Sequence, residues 1–524
     1  MICRAARHGY IDGMKTIDGI EPRPALFERE ASRGDAASQL LLLPLLLAAV
    51  ISLGTTVASI GYRLSAPFPL DPWESMYVIE GYRAVNGQPL YENWKSGHAT
   101  HLYGPLSTYA VAAIYYFTGP RLQAARWIAL ISSIITGIAF ILAFVERRTW
   151  VYLIIGLALF MSLHLRSLAL FTDARPDALA FLIATLGLMA SYRAQRIGSV
   201  AWQALAAALM VVSFLFKQTY AVAVLVPPLA VLLLGGLSRR DLLRSMLPMV
   251  AMLTTGLVLK FGFPVAWYYS VRVPRLYAID LWRLLVATEN LFMFNPLFMV
   301  VAAIVLAGAG GGIRQDRKSV WLLAASAIGS LMGVLALAKR GGNYNSMMLA
   351  YAPLTAFCML RLPLAVDRLA QVPMSASLRC GAGVALGLML LTTSFGQLRT
   401  NFAPVFTSSN NSDSYAAAIE LARSLEGRVA CPDEPTITFF ARGQVERSLE
   451  AFLWVTAFTE EVEPWLVSNT RNVKWIITAS TPEYPSRTSP LLSDLGFRKV
   501  QTPMLDSTYG LWRRAVPTTT SDEP

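Results

Sequence analysis

Hydrophobic residues fall in long uninterrupted blocks along most of this chain, not in the one-sided stripes of a water-facing fold. Blocks approaching or exceeding roughly 18 apolar residues predict helices that cross a bilayer. They run over 39–60, 124–144, 150–165, 176–192, 201–216, 220–237, 247–263, 291–309, 321–338, 347–364 and 381–395, about eleven spans. Most of the turns between them are short. Two segments break the rhythm: the polar stretch that opens at Tyr62, and everything after Leu398.

In the first of these, Leu70 to Pro105 carries Asp71, Glu74, Lys95, His98 and His101 among several Tyr and two Trp. It is followed by a short apolar run, Tyr103 to Thr118, rich in the Tyr that favours a membrane–water interface. In the second, 412–426, 449–469 and 490–495 read as helices, and 428–431, 473–478, 497–501 and 509–513 as strands. That alternation predicts a small α/β domain over 398–524. Residues 1–37, charged with both signs, read as a flexible tail. The run from Gln39 to Ile60 is longer than a signal-peptide core and predicts an uncleaved anchor.

Composition agrees with the pattern. The 524-residue chain is 55% hydrophobic and only 15% charged, too apolar for a soluble globular protein. Its net charge of +12 does not point to nucleic acid, because Arg and Lys gather in the short turns, where they set orientation. Arg4, Arg7, Lys15, Arg23, Arg29 and Arg33 before the first span put the N-terminus in the cytoplasm. The block 124–144 ends in Glu146-Arg147-Arg148 and therefore ends inside, so 103–118 cannot cross. It is expected to lie on the outer leaflet, making 61–123 one external loop and leaving the C-terminus outside. The four cysteines, Cys3, Cys358, Cys380 and Cys431, are scattered without metal-ligand spacing.

With this topology the unusual polar residues converge on the outer side. Beside the first loop stand Asp173, Arg175 and Asp177 before the fourth span, and Lys217-Gln218 between the fifth and sixth. Lys339, Arg340, Asn343 and Asn345 lie between the ninth and tenth. Singly each has an ordinary explanation: a solvated carboxylate, a snorkelling Lys, a Pro-started helix, a Gly-Gly turn. Together, ionisable groups at a membrane boundary point to function.

Their order resembles a known family. D-x-x-E at Asp71–Glu74 is followed by G-x-x-L-Y (Gly87–Tyr91), Y-G-P-L (Tyr103–Leu106), A-R-P-D (Ala174–Asp177), K-Q-T (Lys217–Thr219) and G-G-N-x-N (Gly341–Asn345). Over residues 38–400 this is similar to the C-type (GT-C) membrane glycosyltransferases, in the bacterial group allied to protein O-mannosyltransferases and the lipid A aminoarabinose transferase. The resemblance implies an all-α polytopic membrane fold carrying a small C-terminal α/β extracytoplasmic domain. It implies transfer of a sugar from a polyprenyl-phosphate carrier to a cell-envelope acceptor at the outer face of the cell (inner) membrane, with inversion.

Many relatives have Asp and Glu adjacent; here Pro72 and Trp73 separate Asp71 from Glu74. Asp71 aligns best with the family's catalytic carboxylate, and Glu74, one helical turn on, is the second catalytic candidate. The leaving phosphate calls for cations: Lys217 and Arg340 first, then Arg175, Lys339 and His101. Tyr103, Asp177, Gln218, Asn343 and Asn345 complete the candidate substrate-binding set. No cofactor is called for, and a divalent metal stays open. The alternatives are a polyprenyl-linked polymerase or ligase and a transporter of envelope precursors.

Overall fold

A computed structural model gives the fold; it describes residues 24–95, 98–144, 150–162, 172–235, 238–292, 296–308, 316–339, 342, 344–372, 381, 385, 387, 409–457, 460–479 and 486–515. The apolar blocks are helices. Among the described residues six are long and apolar enough to cross a membrane: Leu42–Ser65, Leu122–Ala143, Asp177–Ile197, Arg239–Gly262, Arg317–Ala338 and Asn345–Gln371. Four expected spans are shorter apolar helices, Trp150–Met161, Val200–Phe216, Gln218–Leu234 and Leu297–Gly308. The eleventh, 381–395, lies largely outside the described residues. The chain is a mostly helical, multi-pass membrane protein with a small C-terminal sheet.

The helix Met348–Gln371 is the axis of the bundle. It is buried almost throughout, as a helix surrounded by others must be. The helices Pro24–Ser65, Leu122–Phe144, Pro296–Gly308 and Arg317–Ala338 all pack on it.

The expected external loop folds into two helices. Asp71-Pro72 supplies a cap and a first-turn proline, and the helix Pro72–Val85 starts there. Residues 74–81 of this helix are all buried. The helix Pro105–Thr118 lies against it, with Val111 and Tyr115 inward and Tyr109, Tyr116 and Phe117 exposed. Gly81 makes the contact possible, because a Cβ there would come within 2.9 Å of Val111 and Tyr115. Gly104 does the same at the helix entrance, where a Cβ would overlap the carbonyl of Leu215 on the helix Val200–Phe216.

The C-terminal segment forms a four-stranded sheet in the order β1 (Val429–Ala430), β2 (Trp475–Ala479), β4 (Tyr509–Arg514), β3 (Phe497–Val500). The pair β1–β2 is parallel and the other two pairs antiparallel. The expected helix over 449–469 is two, Leu449–Val455 and Val462–Thr470, with Ala457 at φ 52° between them. A further helix, Thr436–Arg442, packs on Pro72–Val85, where Phe439 meets Tyr82 edge-on at 4.9 Å. Nearby, the Ser75 hydroxyl donates to Glu434 Oε1 at 2.6 Å. Pro72–Val85 is thus held between the membrane bundle and the C-terminal segment.

Candidate active site

The start of the helix Pro72–Val85 gathers most of the sequence candidates. As N-cap, Asp71 accepts through Oδ1 from the amides of Trp73 (2.7 Å) and Glu74 (3.3 Å). Through Oδ2 it accepts from Nε (2.9 Å) and Nη2 (2.6 Å) of Arg175. Burial pushes the Asp71 carboxyl upward, but the Arg175 charge and these hydrogen bonds outweigh it and hold the group below the usual carboxylate range.

Glu74 is fully buried. It accepts from Arg126 through Nε at 3.0 Å and Nη2 at 2.7 Å, from the Ala174 amide at 2.8 Å and from the Leu70 amide at 2.7 Å. Arg126 also donates to the carbonyls of Arg63 (2.9 Å), Ala66 (2.5 Å) and Phe68 (2.7 Å). The pair therefore ties the end of the first span, the turn before Asp71 and the turn 172–176 to the helix Leu122–Phe144. Asp173 in that turn pairs with Arg63. Burial, with Asp71 and Glu74 close by, lifts its carboxyl to about 7 against the pull of Arg63.

Lys217 caps the end of the helix Val200–Phe216 and pairs with Asp177 at the start of Asp177–Ile197. Both are buried, and the Lys217 ammonium stands 5.3 Å from the centre of the Tyr103 ring. Gln218 donates to the Leu102 carbonyl at 3.0 Å, fixing the approach to Tyr103.

His101 is fully buried and stacks on Tyr77 at 4.7 Å and 11°. The Tyr103 amide donates to Nδ1 at 3.3 Å, so the proton sits on Nε2, which donates to the Thr108 hydroxyl at 2.5 Å. Burial lowers its pKa to about 3, so the ring is neutral at physiological pH. Tyr103 packs against Trp73 at 5.3 Å.

Asp71, Glu74, Arg175, Asp177, Lys217, Gln218, His101 and Tyr103 thus belong to one connected cluster. Lys339 is elsewhere: its ammonium donates to the Pro274 carbonyl at 3.1 Å, and its backbone bridges Ile279. Asn345 is buried where the helix leading into Met348–Gln371 begins. Arg340 and Asn343 lie outside the described residues. Sequence reading missed Arg126 and Arg63; for Arg126 the available signal was a lone Arg inside an apolar block. Among the described residues no group of three or more His, Cys, Asp and Glu side chains is placed to hold a metal ion. Cavities of about 780 Å³ beside β3–β4 and about 360 Å³ between His98 and the helix Val462–Thr470 are not lined by Asp71, which is 8% exposed.

The chain has the fold of the C-type (GT-C) glycosyltransferases. In particular, it is similar to the structure of ArnT from Cupriavidus metallidurans bound to undecaprenyl phosphate. The TM-score is 0.54 at 14% identity, over 90% of this chain and 98% of that one. ArnT in the apo state gives 0.51 at 15% identity, over 89% and 97%. An Archaeoglobus fulgidus oligosaccharyltransferase in its apo form gives 0.50 at 13% identity, over 84% and 70%. No family model and no curated protein matches the sequence.

Proposed function

We propose that this protein is an integral-membrane glycosyltransferase that moves a sugar from a polyprenyl-phosphate carrier to a cell-envelope acceptor, with inversion. The reaction takes place at the outer face of the cell (inner) membrane, with the N-terminus in the cytoplasm and 61–123 and 398–524 outside. The observation that carries this reading is the Asp71–Arg175 pair capping a buried helix, on a fold shared with an enzyme solved with undecaprenyl phosphate bound.

Inversion in one displacement needs a base for the acceptor hydroxyl and cations for the departing phosphate. Asp71 is the base. With Oδ1 held by two amides and Oδ2 by Arg175 it is a weak one at rest. The carboxyl groups of Asp71, Glu74, Asp173 and Asp177 are each paired with a cation, Arg175, Arg126, Arg63 and Lys217 in turn. A phosphate entering here gains a cation by exchange. Arg175 is suited to it, since a guanidinium binds phosphate bidentately. Its move from Asp71 to the donor frees Oδ2 and raises its affinity for a proton, while placing positive charge where the leaving group needs it. Lys217 is the second cation, and Arg340, the other first choice from the sequence, a further candidate.

Glu74 and Arg126 are positioning residues on this reading, because every lone pair of the Glu74 carboxylate that points inward is occupied by protein. Neutral His101 is not one of the cations; it holds Tyr103 in place. Purified protein incubated with radiolabelled polyprenyl-phosphate sugars, with and without envelope membranes as acceptor, tests the proposal. Acceptor-dependent loss of label from the lipid fraction supports it, and intact donor under all conditions rejects it.

A further inference from the structure

The smaller of the two cavities opens where the polar stretch after the helix Pro72–Val85 meets the C-terminal segment. It measures about 360 Å³, with His98 on its wall together with Arg428, Arg447 and Arg471. The His98 side is anchored. Its amide donates to Glu92 Oε2 at 3.1 Å, and Glu92 pairs with Arg83 of Pro72–Val85. The three arginines come from separate places in the chain. Arg428 precedes β1, Arg447 precedes the Ser448 cap of the helix Leu449–Val455, and Arg471 ends the helix Val462–Thr470. Bringing like charges to one cavity costs free energy unless an anion offsets them.

The protein itself supplies little of that offset. Among the described residues Arg428 and Arg471 make no side-chain hydrogen bond and no ion pair, and both are exposed. The one carboxyl in the lining is Glu446, whose Oε2 accepts from the Cys431 amide at 3.0 Å. Burial lifts this carboxyl to about 7, against the pull of that bond and of Arg428, so near neutral pH it is charged only about half the time. His98 registers the surplus: burial, then the Arg83 charge, with Arg447 adding to it, hold its imidazole down at about 4. The ring is therefore neutral and brings no further cation.

Three guanidinium groups against one half-protonated carboxyl suit a dianion better than a monoanion. A phosphate monoester carries about −1.5 to −2 at pH 7 and presents oxygens that a guanidinium grips bidentately. The cavity is larger than a bare phosphate needs, and Trp465 and Val445 line it too, leaving room for the group that bears the phosphate. We infer that this cavity binds a phosphate group, held by Arg428, Arg447 and Arg471, which bridges the polar stretch at His98 to the C-terminal segment. The site stands apart from Asp71 and does not depend on the glycosyltransferase reading. Free phosphate and the headgroup phosphate of a lipid offer the same chemistry, and the test separates them.

The full-length protein is melted in neutral detergent against titrated inorganic phosphate, with chloride holding ionic strength constant. A saturable rise in Tm is expected, as for any ligand that binds the folded state alone. The double variant Arg428→Gln/Arg471→Gln removes two exposed, unpaired side chains, so without phosphate it is expected to melt like wild type. Its half-saturating phosphate concentration is expected to rise at least about tenfold, while Arg498→Gln, on exposed β3, keeps the wild-type value. The titration is repeated in nanodiscs of phosphatidylcholine and of phosphatidylglycerol. A response lost only in phosphatidylglycerol assigns the site to a lipid headgroup, and a response kept in both assigns it to free phosphate. No saturable rise in detergent overturns the site, as does an unchanged half-saturating concentration in the double variant.

Discussion

Glu74 has no exposed surface, and its carboxylate is filled by Arg126 and two backbone amides. Removing one partner of a buried ion pair leaves the other charge uncompensated and typically costs about 3–5 kcal/mol. Glu74→Gln is therefore expected to lower the melting temperature in detergent sharply, and adding Arg126→Met to recover much of the loss. A Glu74→Gln protein that melts like wild type yet turns over nothing would instead make Glu74 a reacting group. His101 gives a second test at this scale. Its folded pKa of about 3 lies below the ordinary 6.5, so between those values the unfolded chain binds more protons. Stability therefore falls as pH drops through that window, by up to about 1.4 kcal/mol per pH unit from this residue. Melting curves from pH 7.5 to 4.5 are expected to fall less steeply in His101→Gln; equal slopes contradict the assignment. Asp71 was legible in the sequence through the D-x-x-E that opens the first polar segment, where it aligns with the family's catalytic carboxylate. Arg175 was a sequence candidate too, but its pairing with Asp71 was not readable, nor was the node at Arg126 with Glu74, since these contacts span 104 and 52 residues.

Among the elements, the helix Pro72–Val85 shows why pattern reading stops where it does. Its sequence, with Glu74, Ser75, Glu80 and Arg83, is too polar to register as an apolar stripe and reads as loop. Those side chains are nonetheless buried: Arg83, at 2% exposure, donates to Glu80 at 3.1 Å and to the Pro89 carbonyl at 3.1 Å. Periodicity detects a helix by the contrast between two faces, and this one has no wet face. The helix Pro105–Thr118 was legible for the opposite reason, having an exposed aromatic face and a buried one. Its seat depends on Gly104. Gly104→Ala is expected to displace it from Leu215, lowering the melting temperature by several degrees and transfer with it. Gly54→Ala, with nothing within 4 Å of the added carbon, is expected to change neither. Equal behaviour of the two variants in a thermal melt removes the close-packing argument.

At the scale of the whole molecule, hydrophobic blocks were enough to give a multi-pass helical bundle. The docking of the C-terminal segment was not readable, because it rests on pairings such as Ser75 with Glu434, 359 positions apart. On the proposed topology, with 61–123 and 398–524 both outside, Asn86 and Ser507 lie on one side of the membrane. With a membrane-impermeant maleimide, Asn86→Cys and Ser507→Cys are both expected to label on intact cells. Labelling of one from outside and the other only after lysis contradicts the topology. The central claim is that Asp71 is the base for sugar transfer from a lipid-phosphate donor. Its most direct test is turnover of labelled polyprenyl-phosphate sugar by Asp71→Asn beside wild type, with donor binding measured on the same preparations. The account predicts donor binding retained and acceptor-dependent transfer lost by at least about a thousandfold, the upper part of the range for general acid–base catalysis. Transfer by Asp71→Asn at the wild-type rate would contradict it.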